Sequence, residues 1–315
     1  MDHRLGQMYA THVNVFLSEL SYTNDDIAAV GCHGQTVYHA PEGVYPFTLQ
    51  LGDANIIAVE TGITTIADFR RKDMALGGIG APLVPTFHQA VFQDPTRNRV
   101  VLNLGGLANI TRLRPDHPID GYDTGPANVL LDSWAHKQWG ETYDNNGQRA
   151  AQGQCQTDLL AYLLHDPYFE KKPPKSTGRE YFNLCWLEKK LSAFDYPPED
   201  IQATLTALTA ESVARDIRCL KAKNESTNEL IVCGGGVKNR TLMQELQHRL
   251  AEWQVHSSLQ YGLDPDFIEA MAFAWLAYLR INNLPGNLPQ VTGARRAICL
   301  GAIFPGTNKE CHYVC

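Results

Sequence analysis

The strongest constraint on this chain is one stretch, residues 99–132, RVVLNLGGLANITRLRPDHPIDGYDTGPANVLLD. Val100-Val101-Leu102 is a short apolar run of the kind that forms a buried strand. Gly105-Gly106 gives a tight turn, and Ala108-Asn109-Ile110-Thr111 reads as the returning strand, so the unit is a strand–glycine turn–strand hairpin. Glycine leaves no side chain between the turn's backbone N–H groups and an anion, so such a turn can cradle phosphate. Asp123-Thr124-Gly125-Pro126-Ala127-Asn128 follows and runs into a helical apolar pattern. That places the Asp123 carboxylate in a loop leading into a helix, a position from which loops present reactive groups.

Composition narrows the function classes. The chain has 315 residues, 44% hydrophobic and 19% charged, with a net charge of -7. This is a globular composition, long enough for one large or two medium domains. The acidic balance argues against a nucleic-acid partner, which selects a basic surface. The longest apolar run, AMAFAWLAYL at 270–279, is too short to span a bilayer, so no membrane association is expected. No apolar signal region opens the chain. Cysteines at 32, 155, 185, 219, 233, 299, 311 and 315 form no CxxC pair and several sit in apolar runs, which fits a reducing cytoplasm. Cys311-His312-Tyr313-Val314-Cys315 reads as a frayed tail, and no metal-ligand set is assigned.

Read in order, residues 1–20 are helical. Residues 27–30 lead a strand into His33-Gly34-Gln35-Thr36, a polar cluster that either contacts a substrate or is a turn with a hydrogen-bonded histidine. Residues 47–51 form a strand, 54–60 a helix and 64–67 a further strand. Arg70, Arg71 and Lys72 follow as three cations, open to an anionic group or to solvent. A glycine-rich loop at 77–82 precedes a helix at 83–92, and Asp94-Pro95-Thr96-Arg97-Asn98 is a turn cluster and a lobe boundary. Helices are expected at 157–164, 200–220 and 241–250. Residues 170–180 read as a polar surface loop. Residues 229–232 form a strand running into Gly234-Gly235-Gly236, a strand–glycine–helix junction at which a backbone approaches a ligand closely. Glu269 lies one turn inside an apolar helix through 279, where it either reaches a ligand or complements the helix dipole. Residues 296–303 form the last strand. The alternation gives an α/β protein of two lobes with a cleft. Neither a GxGxxG dinucleotide motif nor a GxxxxGK[ST] loop occurs.

Taken together, HGQTVYH, ADFRRKDMALGGIGAPLVP, LNLGGLANIT, GYDTGPAN, VCGGGVKN and DPDFIEAMAFAWLA resemble the anhydro-N-acetylmuramic acid kinase family, from residue 30 to about 304. The resemblance implies the two-lobe actin, Hsp70 and sugar-kinase-like (ribonuclease H-like) fold, closing on ATP and Mg2+. The implied substrate is 1,6-anhydro-N-acetylmuramic acid, a small-molecule sugar of peptidoglycan recycling. It would be opened by water and phosphorylated on O6. Asp123 matches the catalytic base. Gly105, Gly106 and Asn109 match a phosphate-binding hairpin, and Gly234, Gly235, Gly236 and Asn239 the adenosine loop. His33, Gln35, Arg70, Thr124 and Glu269 match sugar contacts. A homodimer in the cytoplasm is implied as well.

The chain departs from the family pattern at its start. Family members open with a strand and a Gly-Thr-Ser-x-Asp-Gly turn, which this sequence does not contain, so the first lobe is expected to lack its N-terminal hairpin. The expected division is 1–97 for the sugar-side lobe, 98–304 for the lobe of nucleotide and base, returning to the first lobe near its end, and 305–315 for a tail. A non-catalytic sugar- or nucleotide-binding homologue is the alternative function that this departure allows.

Overall fold

A computed structural model describes residues 1–115, 117–173, 175–218, 220 and 227–306. Cys219 and the tail residues Cys311 and Cys315 lie outside the described residues. The strands, in chain order, are β1 (Val30–Gly31), β2 (Gln35–Ala40), β3 (Phe47–Leu51), β4 (Thr65–Ala67), β5 (Asn98–Leu104), β6 (Leu107–Leu113), β7 (Asp120–Pro126), β8 (Asn228–Cys233), β9 (Gln254–Ser257) and β10 (Ala302–Phe304). Helices separate them through most of the chain, so the fold is α/β, as the sequence implies. The chain divides into two compact units, one of Met1–Phe87 with the described residues from Glu269 onward, the other of His88–Ile268. No helix among the described residues is long and apolar enough to cross a membrane.

The second unit is built on a five-stranded mixed sheet in the order β7-β6-β5-β8-β9. β5 is central, antiparallel to β6 and parallel to β8. Val100, Val101, Leu102 and Leu104 are all fully buried, which is why β5 reads as a continuous apolar run rather than an alternating one. The helix Pro198–Arg218 lays Leu205, Leu208, Val213 and Ile217 into the same core. Truncating Leu102 to Ala would cost about 2–5 kcal/mol, the range for an aliphatic side chain lost from a packed site.

The first unit holds a three-stranded sheet, β1-β4-β10, and the two-stranded β2–β3 hairpin. Its core gathers Ile66, Phe69, Leu83, Phe273, Leu276 and Leu300. The helix Ala54–Thr61 starts at Asp53, whose carboxylate accepts from Asn55 N–H, and stops at Gly62 in the left-handed region.

Three local expectations need correcting. Asp123 is not in a loop: it lies inside β7, where pairing with β6 holds an Asp- and Gly-rich segment extended. The strand expected at 296–303 is only Ala302–Phe304, because only those residues find partners, on β4. The polar run 170–180 is not wholly at the surface, since Lys175 is buried.

Candidate active site

The glycine turn expected at 105–106 joins β5 to β6. Its carbonyls are spoken for: Gly105 O accepts from Asn128 N–H at 3.1 Å, and Gly106 O accepts from Ala127 and Val129 N–H at 3.0 and 2.9 Å. The turn thereby caps the helix Asn128–Trp139, satisfying amides that would otherwise lack partners. A Cβ at Gly105 would meet nothing closer than 3.8 Å, so this side of the turn is open.

Asp123 lies directly opposite Asn109 across the β6–β7 ladder. Asn109 and Asp123 form one pair and Ala108 and Gly125 the next, which leaves Thr124 as the extra residue of a β-bulge. Bulges re-aim neighbouring side chains. Thr124 itself is fully buried, and its hydroxyl donates to Ala108 O at 3.3 Å.

The Asp123 carboxylate is held by a distant segment. Ser176 Oγ donates to its Oδ2 at 2.8 Å and Thr177 N–H donates to the same oxygen at 3.0 Å. The main chain is pinned too: Asp123 N–H donates to Lys175 O at 3.2 Å, and Tyr168 OH donates to Asp123 O at 2.7 Å. Burial raises the Asp123 pKa above the usual carboxylate value, and the donors from Thr177 and Ser176 oppose that rise. The group is therefore more basic than an exposed aspartate. Lys175 anchors the segment from below. Its Nζ lies 3.1 Å from Asp216 Oδ2 and 5.5 Å from the centre of the Tyr168 ring.

The Gly234-Gly235-Gly236 junction departs from the end of β8. Gly234 has φ of +80°, in the region that side chains avoid, and a Cβ there would lie 2.9 Å from Leu104 O. A Cβ on Gly236 would lie 2.5 Å from Leu104 Cβ. Both positions require glycine for packing. Gly235 differs: its nearest neighbour would be Asn128 Nδ2 at 4.0 Å. Gly235 and Asn239 line a cavity of about 330 Å³ together with Asn128, Leu131, Asp132 and Tyr143. Asn239 also has a structural task, since its Oδ1 accepts from Leu242 N–H at 3.0 Å and caps the helix Arg240–Arg249.

In the first unit, three of the expected sugar contacts gather. Arg70 donates through Nε and Nη2 to His33 Nε2 at 3.1 and 2.8 Å, and through Nη1 to Gly80 O at 2.8 Å. Glu269 is near enough to act on Arg70 electrostatically. The His33 ring packs 4.5 Å from that of Phe273. Burial, with help from the Arg70 charge, pushes the His33 pKa down to about 4, so the ring is neutral and accepts from Arg70. Gln35 stands apart: it is exposed, and its Nε2 donates to Thr36 O at 3.1 Å. Arg71 does not join the cluster, because it pairs with Asp68.

The chain as a whole is similar to known proteins. A sequence profile described as anhydro-N-acetylmuramic acid kinase matches residues 1–306. The chain belongs to the anhydro-N-acetylmuramic acid kinase family. It is 55% identical over 306 residues to the anhydro-N-acetylmuramic acid kinase of Pasteurella multocida (strain Pm70), covering 97% of this chain and 81% of that protein. It is 49% identical over 316 residues to the protein of the same name from Haemophilus influenzae, covering 97% and 82%. Among solved structures, xylulose kinase from Rhodospirillum rubrum gives a TM-score of 0.40 at 14% identity over 81% of this chain and 46% of that one. A member of the anhydro-N-acetylmuramic acid kinase family is a sugar kinase, an enzyme that moves phosphate to a sugar hydroxyl.

Within that family frame, several residues escaped the sequence reading. Ser176, Thr177 and Arg179 fall in a proline-bearing polar run that carries the signature of a surface loop. Asp132 and Tyr143 line the cavity without belonging to any of the quoted motifs, and Asn128, which ends GYDTGPAN, lines it as well. A signal did exist for the first group. The aromatic residues Tyr168, Tyr181, Phe182 and Trp186 flank the run and pack on one another.

Proposed function

We propose that this chain opens 1,6-anhydro-N-acetylmuramic acid with water and places the γ-phosphoryl group of ATP on O6, yielding N-acetylmuramic acid 6-phosphate and ADP. The observation that carries the reading is the Asp123 carboxylate, raised in basicity by burial and fixed by two donors on one oxygen. A carboxylate so placed suits a general base, because water is a weak nucleophile until a positioned group takes its proton. In the proposed step Asp123 takes a proton from water as the water oxygen bonds to C1. The C1–O6 bond breaks and O6 keeps the electron pair. O6 then bonds to the γ-phosphorus, and the bond to the β–γ bridging oxygen breaks with its pair leaving on ADP. The proton on Asp123 passes to solvent.

The remaining assignments belong to the same proposal. Gly105, Gly106 and Asn109 meet the phosphates. Gly235, Asn239 and their cavity take the adenosine, Gly234 and Gly236 shaping the loop. His33, Gln35, Arg70 and Glu269 meet the sugar, and Thr124 supports the bulge that sets Asp123. Among the described residues no three His, Cys, Asp or Glu side chains gather to hold a metal. Mg2+ would enter on the nucleotide phosphates, the way this ion is commonly carried into kinase sites. A cytoplasmic homodimer is the expected form.

The test is product formation. The purified chain is mixed with ATP, Mg2+ and the anhydro-sugar, and the 6-phosphate is sought by mass spectrometry. Product that is absent from the Asp123→Asn control supports the reading. A folded chain that gives none leaves a sugar- or nucleotide-binding homologue.

A further inference from the structure

Arg179 has no task in anything described so far. Its backbone is held on both sides. Thr177 N–H is fixed to Asp123, and Tyr181 and Phe182 N–H both donate to Gly178 O at 3.1 Å. Phe182 is fully buried, and Tyr181 OH donates to Asp166 Oδ1 at 2.6 Å. The guanidinium, in contrast, forms no hydrogen bond or ion pair among the described residues, and the side chain is exposed. The backbone is fixed while the guanidinium keeps its donors available to a ligand.

The position of that guanidinium is specific. It hangs over the glycine turn between β5 and β6: a Cβ built on Gly106 would lie 3.3 Å from both Nε and Nη2 of Arg179. It also acts on Asp132, a lining residue of the cavity beside Gly235, whose pKa burial raises to about 6 while Arg179 opposes the rise. The guanidinium thus lies over the turn and acts on one residue of the cavity, and its segment includes Ser176 and Thr177, which hold Asp123. A guanidinium presents donors in a fork that matches phosphate oxygens in pairs.

We infer that Arg179 binds the β- and γ-phosphates of the nucleotide over the Gly105-Gly106 turn. This rests on the kinase reading above for the identity of the anion. The charge would also be well placed as the γ-phosphoryl group passes from the bridging oxygen, which keeps its electron pair, to the sugar oxygen, because charge builds on the phosphates at that moment. Since Ser176 and Thr177 belong to the same segment, the one loop would set both the base and the phosphate clamp.

The experiment compares ATP, ADP and adenosine binding by calorimetry in the wild type, Arg179→Ala and Arg179→Lys, with steady-state kinetics in parallel. Arg179→Ala is expected to lose about 10-fold or more in ATP affinity and about 100-fold or more in kcat, while adenosine affinity stays within about twofold. Lysine should recover part of the ATP affinity, and added guanidinium ion should recover part of kcat in the alanine variant alone. Equal ATP affinity in the wild type and Arg179→Ala overturns the inference. So does a parallel loss of adenosine affinity, which would mark a structural role. A wild-type chain that binds ATP in an Arg179-dependent way yet makes no sugar phosphate defeats the kinase reading and upholds this one.

Discussion

The hydroxyl of Ser176 donates to Asp123 Oδ2 at 2.8 Å although 53 positions separate the two residues in sequence. The base therefore depends on a loop far from its own strand. Asp123→Asn should lower kcat by about 10²–10⁴-fold, the range for removal of a general base, with an unchanged thermal midpoint because an amide oxygen still accepts from Thr177. Ser176→Ala removes one donor that favours the ionised form. The acid limb of the kcat profile, governed by a carboxyl that burial makes more basic, should move to higher pH in that variant. A pH–rate series on both proteins checks this, and an unmoved limb would detach Ser176 from the base.

The three glycines after β8 should separate under substitution. Gly236→Ala drives a methyl group to 2.5 Å from Leu104 Cβ and should lower the thermal midpoint by several degrees. Gly235→Ala meets only open space, so stability should hold while the added methyl intrudes on the cavity and raises KM for ATP. Calorimetric melts with initial-rate kinetics distinguish the two effects. A Gly235→Ala enzyme with wild-type KM would argue that the cavity does not take the nucleotide.

Asp73 is a buried carboxylate with three donors. Asn287 Nδ2 and Thr292 Oγ1 donate to Oδ1 at 2.8 and 2.7 Å, and Gly80 N–H donates to Oδ2 at 2.9 Å. Asp73→Ala strands those donors and should cost about 3 kcal/mol or more, read as a shift in the denaturant midpoint. The less disruptive Asp73→Asn should retain the fold yet disturb Gly80, whose carbonyl steers Arg70. Its KM for the sugar should rise with kcat little changed.

His33 gives a pH prediction with a definite sign. Its pKa is pushed from 6.5 to about 4 in the folded chain, so the unfolded chain takes up the proton first as pH falls. The stability contributed by the neutral ring is full above 6.5 and is lost progressively as pH drops towards 4. His33→Gln keeps an acceptor for Arg70 without titrating. Between pH 7 and 5 the wild type should therefore lose more stability than the variant. Parallel curves, or an imidazole titrating near its ordinary value by NMR, would contradict the buried, Arg70-bound ring.

Much of the scaffold was legible because it is local. The apolar run of β5, the glycine turn and the strand–glycine–helix junction each declare themselves within a dozen residues, and the helix expected at 157–164 is Thr157–Leu164. Asp123 was legible as a residue but not as part of a strand. Its neighbours favour turns, and only the ladder with β6 overrides that preference. Lys175 was illegible for a related reason. A lysine among prolines reads as solvated, and nothing nearby in sequence shows that Asp216 and the rings of Tyr122 and Tyr168 will receive it. The site residues that sequence reasoning missed are those fixed by contacts across long separations.

The bond between the 175–177 segment and Asp123 bears on how this chemistry could be moved to another scaffold. Grafting β5, β6 and β7 alone would carry the aspartate but not the groups that set its proton affinity or hold its backbone. A transplantable unit would be discontinuous: the hairpin and β7, joined by residues 166–186 with the aromatic packing that folds them. Recombination breakpoints between residues 126 and 166 should therefore yield well-folded but inert chimeras, whereas breakpoints beyond 186 should leave the base intact.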